Sequence, residues 1–411
     1  MCPVFISHHT PVYSIAHNIK WSITMNDYAK SLYQNLMNLC DSNDAFYFAD
    51  QQLNGQSYRI FNYRLATYTH FLEPDALECR GIMFEIDEEG NAKRIAAHPQ
   101  IKFFNLGENP FTMDLDITDA SIDRIELKED GSLMSSFVQY DNSGHSSLGI
   151  KSKGSLHSDQ CAMTYKYLER NRALEQELLQ IGKEGYTVNM ELTSPNNRIV
   201  LNYDKTELVV LNIRCTLTGK QMRRQDLDEI AYPLLFKHWV PEAWHLGYDT
   251  GAMLVHRSKE LTGIEGFIVY LRNGTVFKLK TEWYLVQHRA KDNVDSPRRL
   301  FEAAINETTD DLRSLFDDNQ QVLDQINEME TFAAKIYNST IDTVEKFVSA
   351  NQDLIEANDR KAFAIKGQQE LEGKIFGLAM QRFTGKTPDY KAFCLKHWRE
   401  WGLTDKDDLD D

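Results

Sequence analysis

Glu126-Leu127-Lys128-Glu129-Asp130-Gly131-Ser132 sets a single lysine at the end of a short alternating run. The period-two geometry of a strand sends Ile125 and Leu127 to one side and Arg124, Glu126 and Lys128 to the other. Lys128 then projects from the polar face of a sheet just before Asp130-Gly131 turns the chain. A lysine so placed can act as a nucleophile. Taken alone, Lys-x-Asp-Gly fits a surface lysine ahead of a hairpin equally well, so its meaning depends on what lies around it.

Three further runs supply that context. Tyr186-Thr187-Val188-Asn189-Met190-Glu191 alternates, with Tyr186, Val188 and Met190 on an apolar face and Glu191 on the polar one. Ile264-Glu265-Gly266-Phe267-Ile268-Val269-Tyr270 passes through Arg272-Asn273-Gly274 into Val276-Phe277-Lys278-Leu279-Lys280, and Asn-Gly between two apolar runs is a hairpin signal. Lys278 and Lys280 share one face of the second strand.

A Lys-x-Asp-Gly lysine, a strand glutamate, a Glu-Gly ahead of a strand and a closing Lys-x-Lys together resemble the covalent nucleotidyltransferases: ATP-dependent DNA and RNA ligases and mRNA capping enzymes. Six segments narrow this. They are Arg59-Ile60-Phe61-Asn62-Tyr63, Pro74 to Phe84, Lys102-Phe103-Phe104-Asn105-Leu106, Lys128 to Leu133, Lys151-Ser152-Lys153-Gly154-Ser155 and Asn197-Arg198-Ile199-Val200-Leu201, and they resemble the RNA ligase 1 family of T-even bacteriophages. The likeness runs from about Met25 to about Asp311 and thins to helical pattern beyond that.

The resemblance implies an ATP-dependent RNA ligase. Lys128 would attack the α-phosphate of ATP, AMP would pass to an RNA 5′-phosphate, and a 3′-hydroxyl would displace AMP. Catalytic roles carry over to Lys128, Glu191, Glu265, Lys278 and Lys280. ATP contacts carry over to Tyr63, Arg80, Lys102, Lys128, Lys153, Glu191, Lys278, Lys280 and Tyr284. Metal contacts carry over to Glu191, Glu265, Asp310 and Asp311, with magnesium as the ion and manganese able to replace it. Which carboxylate serves metal and which serves ribose stays open. The implied setting is a monomer in the cytoplasm of an infected bacterium, repairing nicked tRNA anticodon loops.

Bulk properties agree with such a protein. The 411 residues suffice for two domains, and 42% hydrophobic with 26% charged residues is ordinary globular composition. With no run of eighteen apolar residues, no membrane span is expected. Cys2, Cys40, Cys79, Cys161, Cys215 and Cys394 form no Cys-x-x-Cys pair, which argues against zinc and against a disulfide framework. Walker and triad signatures are missing too, which does not fit a P-loop ATPase. A net charge of −16 is unusual for an RNA-binding protein, and it requires the basic residues to be gathered in one cleft, with Lys102, Lys128, Lys151, Lys153, Lys278 and Lys280 as candidates.

The expected fold is α+β: an N-terminal nucleotidyltransferase domain of antiparallel sheets with flanking helices, then a helical domain. Residues 1–24 precede the resemblance and read as an extension: a disordered leader, a private addition or a start-site artefact. The nucleotidyltransferase domain is expected over 25–292 and the helical domain over 293–411, with Asp292 to Ser296 as linker. A helix is expected over Asn26 to Cys40, a helical stretch over 157–182, and strands at Ser57 to Tyr63, Gly81 to Ile86, Lys93 to Ala97, Phe137 to Tyr140, Leu148 to Lys153, Tyr186 to Leu192, Ile199 to Asn202 and Glu207 to Arg214. From Thr275 to Lys366 there is no glycine, while Val322, Ile326, Met329, Ala333, Ile336, Tyr337, Ile341, Val344 and Val348 recur every three or four residues. Asp405 to Asp411 reads as a solvated acidic tail.

A lysine with the ordinary pKa of about 10.4 is protonated at neutral pH, so something must favour its neutral form. Lys278, Lys280 and a metal ion near Lys128 are expected to do so by repulsion. Two rival readings remain at this point. A DNA ligase or capping enzyme would append an OB-fold barrel after Lys-x-Lys, where this chain turns helical; a catalytically silent RNA-binding relative would have no need of Lys128, Glu191, Glu265, Lys278 and Lys280.

Overall fold

The computed structural model describes residues 25–64, 66–113, 115, 117–141, 143–243, 251–316 and 319–404, without the side chains of Asp310, Asp311 and Ser314. The readings of residues 1–24 and of the acidic end from Asp405 therefore lie outside the described residues.

Helix α1 (Asp27–Ser42) starts at Asn26, whose side chain accepts from Ala29 N at 2.9 Å, and it buries Ala29, Leu32, Leu36 and Leu39 along one face. Strands β1 (Phe46–Leu53) and β2 (Gln56–Tyr63) form a hairpin over Asn54-Gly55. Both turn residues are left-handed, with φ of 51° and 80°, the conformation Asn-Gly favours in a two-residue loop. β1 was not anticipated, although that Asn-Gly was its signal. With β3 (Ile82–Ile86) and β4 (Ala92–Ala97) they make a four-stranded antiparallel sheet in the order β1-β2-β3-β4.

The chain continues through β5 (Phe104–Asn105), β6 (Ile122–Lys128), β7 (Ser132–Tyr140), β8 (Ser146–Ser152), α2 (Asp159–Arg170), α3 (Arg172–Lys183), β9 (Tyr186–Thr193), β10 (Glu207–Cys215), β11 (Gln221–Met222), α4 (Pro233–Lys237), α5 (Gly251–Ser258), β12 (Gly266–Leu271), β13 (Val276–Lys280) and α6 (Glu282–Asp295). A second sheet runs β11-β10-β9-β7-β8 and a third β5-β13-β12-β6. The segment Glu129–Gly131 is thus the step from the third sheet into the second.

Each sheet has its own core. α1 packs on the first, with Phe46, Phe61, Phe84 and Ile95; α2 and α3 cover the second through Leu168, Leu174, Leu178 and Ile181; Leu254 of α5 joins Phe267, Val269 and Phe277 in the third.

Two expectations change here. Ile199 to Asn202 is not a strand: the backbone N–H groups of Val200 and Leu201 donate to Asp130 Oδ2 at 2.8 and 2.7 Å, so they are unavailable to a ladder. The expected linker at Asp292 to Ser296 is helical through Asp295, and Ser296 caps the next helix by accepting from Arg299 N at 3.2 Å.

The chain divides into two compact units, one ending at Tyr284 and one beginning at Leu285. The second is helical: after the remainder of α6 come α7 (Pro297–Ile305), α8 (Thr309–Leu315), α9 (Gln320–Ala350), α10 (Gln352–Glu356), α11 (Arg360–Glu370), α12 (Phe376–Phe383) and α13 (Tyr390–Lys396). α9 buries Val322, Ile326, Ala333, Val344 and Val348 of the expected stripe together with Thr340 and Phe347, whereas Met329, Ile336, Tyr337 and Ile341 are only partly buried. The protein is an α+β chain, and no described helix is long and apolar enough to cross a membrane.

Candidate active site

Lys128 closes β6 opposite Gly266, and Gly266 lies opposite Lys280 on its other side. The register therefore sets two lysines level with each other across β12. Gly266 has a φ of +148°, and a Cβ there would fall 2.1 Å from Leu279 O, so the close passage of β13 requires glycine. Glu265, one residue earlier, is 2% exposed and serves both lysines: Lys128 Nζ donates to it at 2.7 Å and Lys280 Nζ lies 3.0 Å away. Lys128 Nζ also donates to the carbonyl of Glu129 at 3.3 Å.

A second carboxylate arrives from the neighbouring sheet. Glu191 of β9 pairs with Leu133 and accepts from Gly131 N at 3.1 Å. A Cβ on Gly131 would come 2.3 Å from Leu192 O, so glycine lets the lysine turn lie against β9. Burial pushes the Glu191 carboxyl up to about 7, with Glu265 adding to the rise and Lys128 and Arg80 opposing it. The polar face of β9 is not solvated as its alternation suggests. Thr187, Asn189 and Glu191 are all buried, and Thr187 and Asn189 hydrogen-bond to the His98 backbone at 2.9 and 3.2 Å.

Asp130 holds the turn together. Besides Val200 and Leu201 N, its carboxylate accepts from the Tyr284 hydroxyl at 2.7 Å. Its own N–H donates to Tyr203 Oη at 3.0 Å. Tyr284, 2% exposed, also lies beneath Lys280, whose Nζ is 4.8 Å from the ring centroid. Neither Asp130 nor Tyr203 was singled out from the sequence; the Asp-Gly turn gave no sign that its aspartate would face two backbone amides 70 residues away.

The remaining predicted residues form a cationic and aromatic group. Lys102 Nζ lies 5.3 Å and Lys153 Nζ 4.5 Å from the Tyr63 ring centroid. Arg80 and Lys278 both face Phe103, at 5.9 and 5.2 Å, and Arg80 Nη1 donates to Gln100 O at 3.2 Å. None of Arg80, Lys102, Lys153 and Lys278 has a carboxylate within ion-pair distance among the described residues. Burial, then Lys102, Arg80, Lys128 and Lys280, push the Lys278 ammonium down to about 7. The two groups are thus within electrostatic reach of each other.

Two readings need correcting. Lys128 is not lowered by its neighbours. Burial would depress it, but the carboxylates of Glu265 and then Glu191 outweigh that and hold it above the ordinary lysine value; the expected repulsion acts on Lys278 instead. Lys151 is no cleft residue. It is 0% exposed and donates to the carbonyls of Gly81, Ser152 and Lys153 at 2.7, 2.7 and 3.3 Å. Asp310 and Asp311 fall in α8, and their side chains lie outside the described residues.

Comparison with known proteins follows the same lines. A family model described as RNA ligase matches residues 78–284, half of the chain, and one described as T4 RNA ligase 1, C-terminal domain, matches residues 291–394. A putative RNA ligase of Thermovibrio ammonificans is 23% identical over 335 residues, covering 79% of this chain and 84% of that protein. A putative bifunctional polynucleotide kinase/RNA ligase of Autographa californica nuclear polyhedrosis virus is 25% identical over 305 residues, which is 68% of this chain and 40% of the viral protein. A solved Naegleria gruberi RNA ligase mutant with ATP and Mn is 13% identical, with a TM-score of 0.36, over 65% of this chain and 84% of that one. By the two family matches, which between them take in the lysine turn and the helical unit, this chain belongs to the RNA ligase family of T4 RNA ligase 1.

Proposed function

We propose that the protein is an ATP-dependent RNA ligase that joins RNA 5′-phosphate and 3′-hydroxyl ends through lysyl-AMP and adenylylated RNA. The observation that carries this reading is the meeting of one lysine, Lys128, with carboxylates from two sheets, beside cations that make no ion pair with a carboxylate among the described residues, in a chain of this family.

Lys128 must first shed a proton, which passes through Glu265 to water. Its nitrogen then attacks the α-phosphorus of ATP; the N–P bond forms as the bond to the bridging oxygen breaks, and pyrophosphate leaves. Arg80, Lys102 and Lys278 are suited to offset the phosphate charge, since ammonium groups crowded together and partly buried gain most from an anion. In the second step an RNA 5′-phosphate oxygen displaces Lys128 from phosphorus. In the third a 3′-hydroxyl attacks the RNA phosphate, loses its proton, and AMP departs.

Glu191 and Glu265 are the residues suited to a divalent cation. Glu191 is a carboxyl pushed up to about 7 by burial and by Glu265, so a cation beside it would favour its charged form. No cluster of three or more metal-ligating side chains exists among the described residues, but magnesium keeps several waters and needs only one or two carboxylates. When bound, the ion would screen phosphate charge. Asp310 and Asp311 are proposed for a second ion. The family resemblance supports nicked tRNA as the physiological substrate, a monomeric enzyme, and action in the cytoplasm of a phage-infected bacterium, with the helical unit as the surface that distinguishes tRNA.

Incubation with radiolabelled ATP followed by a denaturing gel tests the first claim, and a labelled protein band is the expected result. The tRNA claim is tested by removing residues from Leu285 onward and comparing soluble, folded fragment with full chain. Sealing of nicked tRNA should fall more than sealing of a short single strand; equal loss on both would refute it.

A further inference from the structure

We propose that Tyr203 is a positioning residue for the lysine nucleophile and acts through the peptide group between Glu129 and Asp130; the inference rests on Lys128 being that nucleophile. The carbonyl of this peptide accepts from Lys128 Nζ at 3.3 Å, and its N–H donates to Tyr203 Oη at 3.0 Å. A trans peptide is planar, with N–H and C=O directed oppositely, so holding one end fixes the direction of the other. The Tyr203 hydroxyl is itself held, donating to Glu129 Oε2 at 3.2 Å. One phenol therefore fastens both the side chain of Glu129 and the peptide that follows it.

The segment carrying Tyr203 is anchored to the same turn, because Val200 and Leu201 N donate to Asp130. Lys128 has a flexible four-carbon stem and three donors, and its reaction needs the nitrogen aimed at phosphorus within about 3–3.5 Å. Two protein acceptors define that aim: the Glu265 carboxylate and the Glu129 carbonyl. Glu265 must take up or relay the departing proton. The carbonyl has no such duty, so it is the fixed reference for the nitrogen. Burial and the Glu129 carboxylate push the Tyr203 phenol up, which keeps its proton in place as a donor. Tyr203 contacts the turn and not the reacting atoms, so its effect must pass through the peptide.

Tyr203→Phe in the full chain keeps the ring and deletes the hydroxyl. Single-turnover formation of lysyl-AMP at saturating ATP should slow about tenfold, with the KM for ATP and the joining of pre-adenylylated RNA each changed by less than about twofold. That split separates positioning from general damage, since pre-adenylylated RNA bypasses attack by Lys128. An unchanged rate of adduct formation in Tyr203→Phe overturns the inference, and so does an equal loss in both reactions, which would mark a structural role. A wild-type protein that forms no adduct at all would instead strike down the functional reading on which the inference depends.

Discussion

Lys128 and Lys280 share the buried carboxylate of Glu265, whereas Lys278, two residues before Lys280 on the same strand, faces Phe103 and other cations and has no carboxylate partner among the described residues. At the first end the protein neutralises its own charge, so the nucleophile rests as a protonated, well-aimed ammonium. At the second end positive charge is left uncompensated, with Lys278 depressed to about 7, and an anion would relieve it. The difference separates holding a reactive group from receiving a ligand, and substitutions on the two ends should fail differently.

The largest effect is expected of Lys128→Ala, which should form no covalent AMP adduct yet still seal pre-adenylylated RNA, as followed on denaturing gels. Next is Glu265→Gln, which removes the negative charge shared by two lysines and leaves one acceptor oxygen in place of two; adduct formation near neutral pH should fall by roughly a hundredfold. Its pH profile gives a second readout. Glu265 raises the Lys128 pKa, so without its charge the lysine loses its proton more readily and the rising limb of the profile should move to lower pH. A limb that stays in place would mean that Glu265 does not set the charge state of Lys128.

At the other end, Lys278→Met should raise the KM for ATP by about tenfold, with a smaller change in the maximal rate. Phosphate beside Lys278 raises its pKa from about 7, so ATP binding just above that pH should draw a proton from the buffer. Calorimetry in two buffers of different ionisation heat measures the uptake, and the Met variant should lose it.

The smallest effect on activity belongs to Lys151→Met. Three backbone carbonyls lose their donor, so stability should fall by about 1–3 kcal/mol in denaturant titrations while lysyl-AMP still forms. Burial depresses Lys151 to about 7 in the folded protein from the ordinary lysine value of 10.5, so between those values the unfolded chain binds more protons. Stability contributed by this residue therefore rises with pH across that window, and the Met variant should lack that share of the rise.

These contrasts also mark what could be read from the chain beforehand. Alternation around Lys128 and Lys278 predicted their strand faces, because both strands stay in register with β12 from Gly266 to Tyr270. Lys151 and Lys153 alternate equally well, yet one is wholly buried and the other exposed: β8 ends at Ser152, and parity has no meaning past the last ladder pair. The burial of the polar face of β9 could not be read either, since alternation reports polarity and the buried partners of Thr187 and Asn189 belong to a distant segment. Asp130 and Tyr203 were hidden more thoroughly, because their significance lies in N–H and hydroxyl groups brought together by the step between sheets. Carboxylates could be placed near Lys128 from the resemblance, but that they would raise its pKa, Glu265 foremost, required the 2.7 Å contact with Glu265.

The central claim is that Lys128, and no other lysine of the cluster, carries AMP. Wild-type protein incubated with ATP and magnesium, digested and analysed by tandem mass spectrometry tests it most directly. The expected result is an adenylyl group on the peptide containing Lys128 and on no other lysine. Adenylylation of Lys278, Lys280 or Lys153 with Lys128 unmodified would contradict it.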